Sequence, residues 1–219
     1  MKIAVIGKGK QAAHTAAAFA LCKDCQVFFY NTSEGVSRTV EGRTEDVLLD
    51  RVERKRLSME EAAQAITRLV ICPEETALYD CDLVVEMSRE SRSARRKELK
   101  KLAGICSPKT VFAIGTFSLD ADWERSEIGR EVIGMGFFRE RFVSDAVELI
   151  VSEKIHRDLV AETSGILRKL GKRTILGRDR GGIFYNRFVV PLHSRTIAIC
   201  GRNCVFSGIW EIDGYLTYL

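Results

Sequence analysis

The sequence has no long apolar run and carries little net charge. Among its 219 residues no stretch is apolar and long enough to span a bilayer, so we expect no membrane segment. The N-terminus leads directly into a strand-like run and lacks the cleavage region of a signal peptide. The formal net charge is only +4, which implies no strong field for nucleic acids or membrane surfaces. We therefore expect a cytoplasmic protein that binds neither nucleic acid nor membranes.

Disulfide pairs and metal ligands are also poorly supported. The seven cysteines are an odd number, which suits reduced thiols better than a disulfide framework. The pairs Cys22/Cys25 and Cys200/Cys204 have spacings that zinc could use. Cys22, however, falls at the end of a helix in a tight βαβ unit, where a small apolar side chain packs well. We therefore predict no metal site.

The order of apolar segments predicts an α/β fold. Lys2–Gly7 and Gln26–Asn31 are predicted strands around an alanine-rich helix over residues 11–23, which makes one βαβ unit. A helical hairpin is predicted from Glu45 to about Thr67, with Ser58 and Glu61 forming a capping box at its second helix. Further strands are predicted at Leu69–Cys72, Leu83–Glu86, Val111–Gly115, Val132–Phe137, Ala146–Val151 and Arg173–Leu176. Further helices are predicted at Ser91–Ala103 and Arg157–Leu170.

A glycine pair, Gly181-Gly182, predicts the boundary between two parts of the chain. Residues 1–181 are expected to form a Rossmann-type domain with a doubly wound, mostly parallel sheet and the inserted helical hairpin. Residues 182–219 are expected to form a short helical segment, with a helix over about Tyr185–Cys200. Because so short a segment is marginal for independent folding, we expect it to pack on the main domain or on a partner.

The segment Gly7-Lys-Gly9-Lys-Gln-Ala12 is a G-x-G-x-x-A motif directly after a strand and before a helix. In this context Gly7 permits the tight turn, Gly9 lets the backbone approach a pyrophosphate, and Ala12 allows close packing of helix on strand. The helix N-terminus would offer free N–H groups and a positive dipole end to the phosphates. The motif predicts a bound nicotinamide dinucleotide.

The end of the second strand normally presents an acidic residue to the ribose hydroxyls, and here it carries Asn31. Asparagine can still form a hydrogen bond with a hydroxyl, and it removes the charge that repels a 2′-phosphate. Arg38 lies nearby in the sequence. NAD is the expected cofactor, with NADP as the alternative.

Five segments resemble the 3-hydroxyacyl-CoA dehydrogenase family, in that family's order: KIAVIGKGKQAAH, VLLDRVERKRLSMEEAAQAITRL, DCDLVVEMSRESRSARRKEL, VIGMGFF…AVELIVSE and LGKRTILGRDRGGIFYNRFVVP. The resemblance implies hydride exchange between a nicotinamide and C3 of a 3-hydroxyacyl thioester. It also implies an all-helical dimerisation domain after the Rossmann domain, here cut short after WEID, and hence a homodimer.

The resemblance assigns roles to individual residues. Gly7 and Gly9 would hold the pyrophosphate, while Glu90 and Arg95 fall where a glutamate and a lysine approach the nicotinamide side. Lys55 falls where a lysine contacts the CoA phosphates, although its surroundings, RVERKR, would equally suit a solvated helix face.

The catalytic residues depart from the family pattern. Gly136 stands where the family has its general base, a histidine, and Glu148 sits twelve residues later, where a glutamate orients that histidine. Phe117 replaces a substrate-facing serine, whereas Asn186 matches the family's active-site asparagine. Glu148 could itself act as the base if it were buried, because a desolvated carboxylate binds a proton more readily.

The three histidines, His14, His156 and His193, offer weaker alternatives for the base. Two functions therefore remain open. One is an NAD(P)-binding oxidoreductase that acts on a 3-hydroxyacyl thioester or a divergent substrate. The other is a catalytically silent nucleotide-binding module used for regulation or assembly.

Overall fold

The computed structural model describes residues 1–31, 34–72, 74–88, 91–115, 128–137, 146–151, 157–178 and 191. Their strands and helices follow one another as β1 (Lys2–Ile6), α1 (Lys10–Ala20), β2 (Gln26–Tyr30), α2 (Glu34–Glu53), α3 (Met59–Ile66), β3 (Leu69–Ile71), β4 (Leu83–Glu86), α4 (Arg92–Ile105), β5 (Val111–Gly115), β6 (Val132–Phe137), β7 (Ala146–Val151), α5 (Arg157–Lys169) and β8 (Arg173–Arg178). A short 3₁₀ turn, Glu75–Leu78, precedes β4.

The strands form one eight-stranded sheet in the order β3-β2-β1-β4-β5-β6-β7-β8. Every neighbouring pair is parallel except β6 and β7, which run antiparallel. The chain winds outward from β1 in one direction through β2 and β3, and in the other through β4 and β5. The predicted doubly wound, mostly parallel sheet is confirmed, and the crevice between β1 and β4 is the topological switch point where such sheets bind ligands.

Successive side chains along each strand point to opposite faces of the sheet, and this divides the core into two layers. On β1, Ile3 and Val5 pack with α1, α2, α3 and α5, whereas Ala4 and Ile6 pack with α4 and the 3₁₀ turn. Because the central strands are buried on both faces, they appear in the sequence as continuous apolar runs. No helix within the described ranges is both long and apolar enough to cross a bilayer.

The helical hairpin is longer than predicted. Helix α2 begins at Glu34, eleven residues before the predicted start at Glu45. The segment between these residues contains two glycines and several β-branched or hydroxyl residues, which have low helix propensity. Its buried residues instead recur at helical spacing, since Ser37, Val40 and Thr44 all lie on one face. Tertiary packing of this face therefore overrides local propensity.

The ends of the helices are well defined. Ser58 and Glu61 form the predicted capping box at the start of α3. Gly171 has a φ of 68° just after α5, the left-handed glycine conformation that commonly follows the end of a helix. The boundary at Gly181-Gly182 and the C-terminal helix fall outside the described residues and remain predictions.

Candidate functional site

The glycine turn lies at the switch point of the sheet. Gly7 has a φ of 133°, a left-handed conformation that favours glycine. A Cβ at this position would lie 2.8 Å from the carbonyl carbon of Met87 and 2.9 Å from the amide nitrogen of Ser88. Both residues follow β4, so the turn after β1 packs directly against the backbone at the end of β4. Only glycine fits there.

Gly9 has a different role, because its backbone is unstrained. Its φ of −98° and ψ of 173° are open to any residue, and a Cβ built there meets no atom within 4 Å. Gly9 is the N-cap of α1 and, within the described ranges, no side chain caps this helix end. The first N–H groups of α1 therefore face open space, flanked by the exposed Lys8 and Lys10. This arrangement suits a pyrophosphate.

Asn31 is held in place by the glycine turn. Its Oδ1 accepts a hydrogen bond from the Gly7 N–H at 3.2 Å, and its Nδ2 donates to the hydroxyl of the buried Ser37 at 3.4 Å. The end of β2 thus presents a fixed, neutral amide next to the turn. The contribution of Ser37 was missed from the sequence, because its segment was not predicted to be helical.

Arg95 is bound to a carboxylate that the sequence analysis did not single out. Its Nε donates to Oε2 of Glu86 at 2.6 Å, and the other carboxylate oxygen accepts from the Ser88 N–H at 2.7 Å. Glu86 ends β4 and is 1 % exposed. Nη2 of Arg95 is buried and, among the described residues, has no hydrogen-bond partner. Glu90 lies outside the described residues.

Gly136 and Glu148 face each other across the antiparallel pair of β6 and β7. Directly opposed residues of such a pair point to the same face of the sheet. Glu148 is fully buried. The carboxylate that resembles the family's orienting glutamate therefore lies opposite the position that lacks the histidine. Phe117 and Asn186 lie outside the described residues.

Lys55 lies in the turn between α2 and α3, away from the sheet. It is exposed and has a φ of 56°, the left-handed conformation that commonly follows the end of a helix. The Arg56 N–H donates a hydrogen bond to the carbonyl of Arg51, and the Lys55 N–H donates one to the carbonyl of Val52. These two hydrogen bonds form a Schellman motif. The Lys55 ammonium is thus displayed at the tip of the hairpin.

The described residues bring no candidate metal ligands together. No group of three or more His, Cys, Asp or Glu side chains within them could hold a metal ion. Burial raises the pKa of Cys25 to about 12, so this thiol stays protonated and packs as an apolar group. His14 lies on the exposed side of α1, whereas His156, His193, Cys200 and Cys204 lie outside the described residues.

Comparison with known proteins agrees with this geometry. A glycine turn at the switch point of the sheet, beside an open helix N-terminus, is the arrangement of an NAD-binding Rossmann domain. The chain belongs to the 3-hydroxyacyl-CoA dehydrogenase family, because the family model described as 3-hydroxyacyl-CoA dehydrogenase, NAD binding domain, matches residues 2–180. NAD is the cofactor of that domain.

Curated relatives are longer than this chain. A 3-hydroxyadipyl-CoA dehydrogenase from Escherichia coli (strain K12) is 28% identical over 195 residues, which cover 88% of this chain and 41% of that protein. A 3-hydroxybutyryl-CoA dehydrogenase from Bradyrhizobium diazoefficiens is 26% identical over 155 residues, which cover 68% of this chain and 52% of that protein. The chain therefore spans about half or less of each of these two relatives.

Solved structures support the fold. The (S)-3-hydroxybutyryl-CoA dehydrogenase from Ralstonia eutropha superposes with a TM-score of 0.80 at 23% identity, covering 92% of this chain and 71% of that one. A 3-hydroxybutyryl-CoA dehydrogenase from Escherichia coli K12 gives a TM-score of 0.79 at 24% identity, covering 92% of this chain and 43% of that one.

Proposed function

We propose that this protein is an NAD-dependent oxidoreductase that transfers hydride at C3 of a 3-hydroxyacyl thioester, or of a chemically related substrate, with slow turnover. The observation that carries the proposal is the pairing of Gly136 with Glu148 in a sheet that also carries an intact dinucleotide turn. The carboxylate is kept and buried, while the base that it would orient is missing.

The residues of this chain divide the reaction between them. When bound, the oxidised nicotinamide would accept the hydride. Gly7 and the N-terminus of α1 would hold the pyrophosphate, and the Arg95 guanidinium would approach the nicotinamide side of the cofactor. When a 3-hydroxyl group is oxidised, its C–H bond gives up a hydride and its O–H bond gives up a proton. Glu148 accepts that proton, with Asn186 as a further substrate contact.

Slow chemistry follows from the missing histidine. A positioned general base typically contributes about 10²–10⁴-fold to such a step. A carboxylate that acts alone, from a position suited to orienting another group, recovers only part of this factor.

The substrate's CoA phosphates are assigned to Lys55, which the hairpin displays to solvent.

A second candidate function is a catalytically silent nucleotide-binding module, which serves regulation or assembly. The observation in its favour is Gly136 itself, because it supplies no proton acceptor where the family has one. In this function the dinucleotide turn is retained for binding alone.

The experiment that separates the two candidates measures NADH binding and turnover independently. NADH is titrated by fluorescence, and acetoacetyl-CoA reduction is followed by loss of NADH absorbance in the wild type and in Glu148→Gln. Slow turnover that Glu148→Gln abolishes, with unchanged NADH affinity, supports the oxidoreductase. Binding without turnover identifies the silent module, and absence of NADH binding would contradict both candidates.

The protein is further proposed to be a cytoplasmic homodimer. The support lies in the sequence after Gly182, where Phe184, Phe188, Val189 and Ile197 supply more apolar surface than a short segment can bury by itself. Light scattering at micromolar concentration tests this, and a monomer with a folded C-terminal segment would contradict it.

A further inference from the structure

Arg43 reaches from α2 to the glycine turn. Its Nη1 donates a hydrogen bond to the carbonyl of Lys8, the residue between the two motif glycines, at 2.7 Å. The side chain is otherwise exposed. One N–H of the guanidinium is therefore fixed to the turn, while its other N–H groups remain directed to the space around it.

The charge of Arg43 is not neutralised by a described carboxylate. Two other arginines of the same helical region form ion pairs one turn away, Arg38 with Glu34 and Arg54 with Asp50. Arg43 forms no such pair within the described ranges, and its one hydrogen bond there goes to a backbone carbonyl. A guanidinium fixed beside two lysines of the turn and the positive end of α1 creates a site that favours an anion.

Arg43 and Asn31 bond to neighbouring residues of the glycine turn. Asn31 contacts the N–H of Gly7, and Arg43 contacts the carbonyl of the next residue, Lys8. The carboxyl end of β2, where Asn31 stands, is where Rossmann domains contact the adenosine ribose. Arg43 would therefore face the ribose hydroxyls of a bound dinucleotide, whereas the pyrophosphate would lie over Gly9 and the start of α1.

We propose that Arg43 is a specificity-determining residue that admits a 2′-phosphate on the adenosine ribose, so that the site binds NADP(H) as well as NAD(H). The neutral Asn31 removes the carboxylate that would repel this phosphate, and Arg43 supplies a planar fork of donors that matches phosphate oxygens. The proposal rests on the dinucleotide site of the proposed function and does not depend on turnover.

The test is a fluorescence titration with NADH and with NADPH, in the wild type and in three variants. Arg43→Gln removes the charge and keeps a polar side chain of smaller size. Asn31→Asp restores a carboxylate at the end of β2. Arg54→Gln is the matched control, an exposed arginine near the far end of the same helix.

We expect wild-type affinities for NADPH and NADH that agree within about tenfold. Arg43→Gln should lower the affinity for NADPH roughly tenfold or more, which is the effect of losing one charge-assisted hydrogen bond. It should leave the affinity for NADH nearly unchanged. Asn31→Asp should likewise weaken NADPH selectively, and Arg54→Gln should change neither affinity.

Two results would overturn the inference. The first is wild-type binding of NADPH that is far weaker than that of NADH. The second is an equal loss of both affinities in Arg43→Gln, which would make Arg43 a clamp for the turn and nothing more. Failure of both nucleotides to bind the wild type would instead refute the dinucleotide site, and the proposed function with it.

Discussion

Replacing Gly136 with histidine tests how much of the catalytic site this chain retains. Residue 136 lies inside the extended strand β6, and the described glycines with positive φ are Gly7, Gly129 and Gly171. The backbone conformation at Gly136 therefore does not require glycine. Its cross-strand partner is Glu148, and the Cβ atoms of directly opposed residues lie about 4.5–5.5 Å apart, close enough for an imidazole N–H to bond to a carboxylate.

The expected gain follows from this geometry. A buried carboxylate already faces the new imidazole, so the variant recovers an oriented base and not merely a titratable group. We expect Gly136→His to raise the turnover of acetoacetyl-CoA with NADH by about 10²–10⁴-fold. Because reduction uses the protonated imidazole as an acid, this rate should fall as the pH rises through the ordinary histidine pKa of about 6.5. The reverse oxidation uses the neutral imidazole, so its rate should increase over the same pH range.

The controls separate base catalysis from other effects of a larger side chain. Gly136→Gln has similar size and polarity but no group that titrates near neutrality, so it should stay at the wild-type rate. Gly136→His combined with Glu148→Gln should lose most of the gain, because the imidazole is then no longer oriented by a charge. Circular dichroism and NADH titration confirm that each variant is folded and binds cofactor.

Two results would refute this reasoning. If the wild type turns over as fast as an ordinary dehydrogenase, another group already supplies the base. If Gly136→His binds NADH and remains inactive, the missing histidine is not the principal defect, and the silent module becomes the better description.

Three further predictions concern binding, stability and thiol chemistry. Gly9→Val should fold normally yet lose NADH affinity by tenfold or more, and an NADH affinity equal to that of the wild type would contradict the assignment of the turn. Gly7→Ala should instead lower the melting temperature, because its Cβ would lie 2.8 Å from a backbone atom. Ser58→Ala should lower the free energy of unfolding in urea by about 0.5–2 kcal/mol through loss of the capping box, and an unchanged midpoint would contradict this. Because burial raises the pKa of Cys25 and of Cys81 to about 12, peptide mapping after alkylation at pH 8 should find both unmodified in the folded protein and modified in urea.

The sequence predicts those features that depend on neighbouring residues. The glycine turn, the strands around it and the capping box at Ser58 are all set by short-range geometry. The doubly wound, mostly parallel class of the sheet follows from the same pattern, because parallel strands joined by helices wind in few ways. The pairing of Gly136 with Glu148 was suggested by family spacing and then located by the register of β6 and β7.

Features that depend on tertiary contacts were missed. Nothing local in the sequence indicates that the Arg43 guanidinium reaches the Lys8 carbonyl 35 residues away. The ion pair of Glu86 with Arg95 depends in the same way on how α4 packs against the end of β4. The first half of α2 was missed because its helix is stabilised by burial against α1, whereas local propensity disfavours it.

The glycine turn and the Gly136–Glu148 pair are separate parts of the fold, because different strands build them. The glycine turn is built by β1, β2 and β4, whereas Gly136 and Glu148 both lie on one strand pair in the other half of the sheet. A change at Gly136 therefore leaves the dinucleotide turn untouched. On the proposed function, chemistry and nucleotide recognition are separable, and Gly136→His tests whether a single substitution converts a nucleotide-binding module into an enzyme.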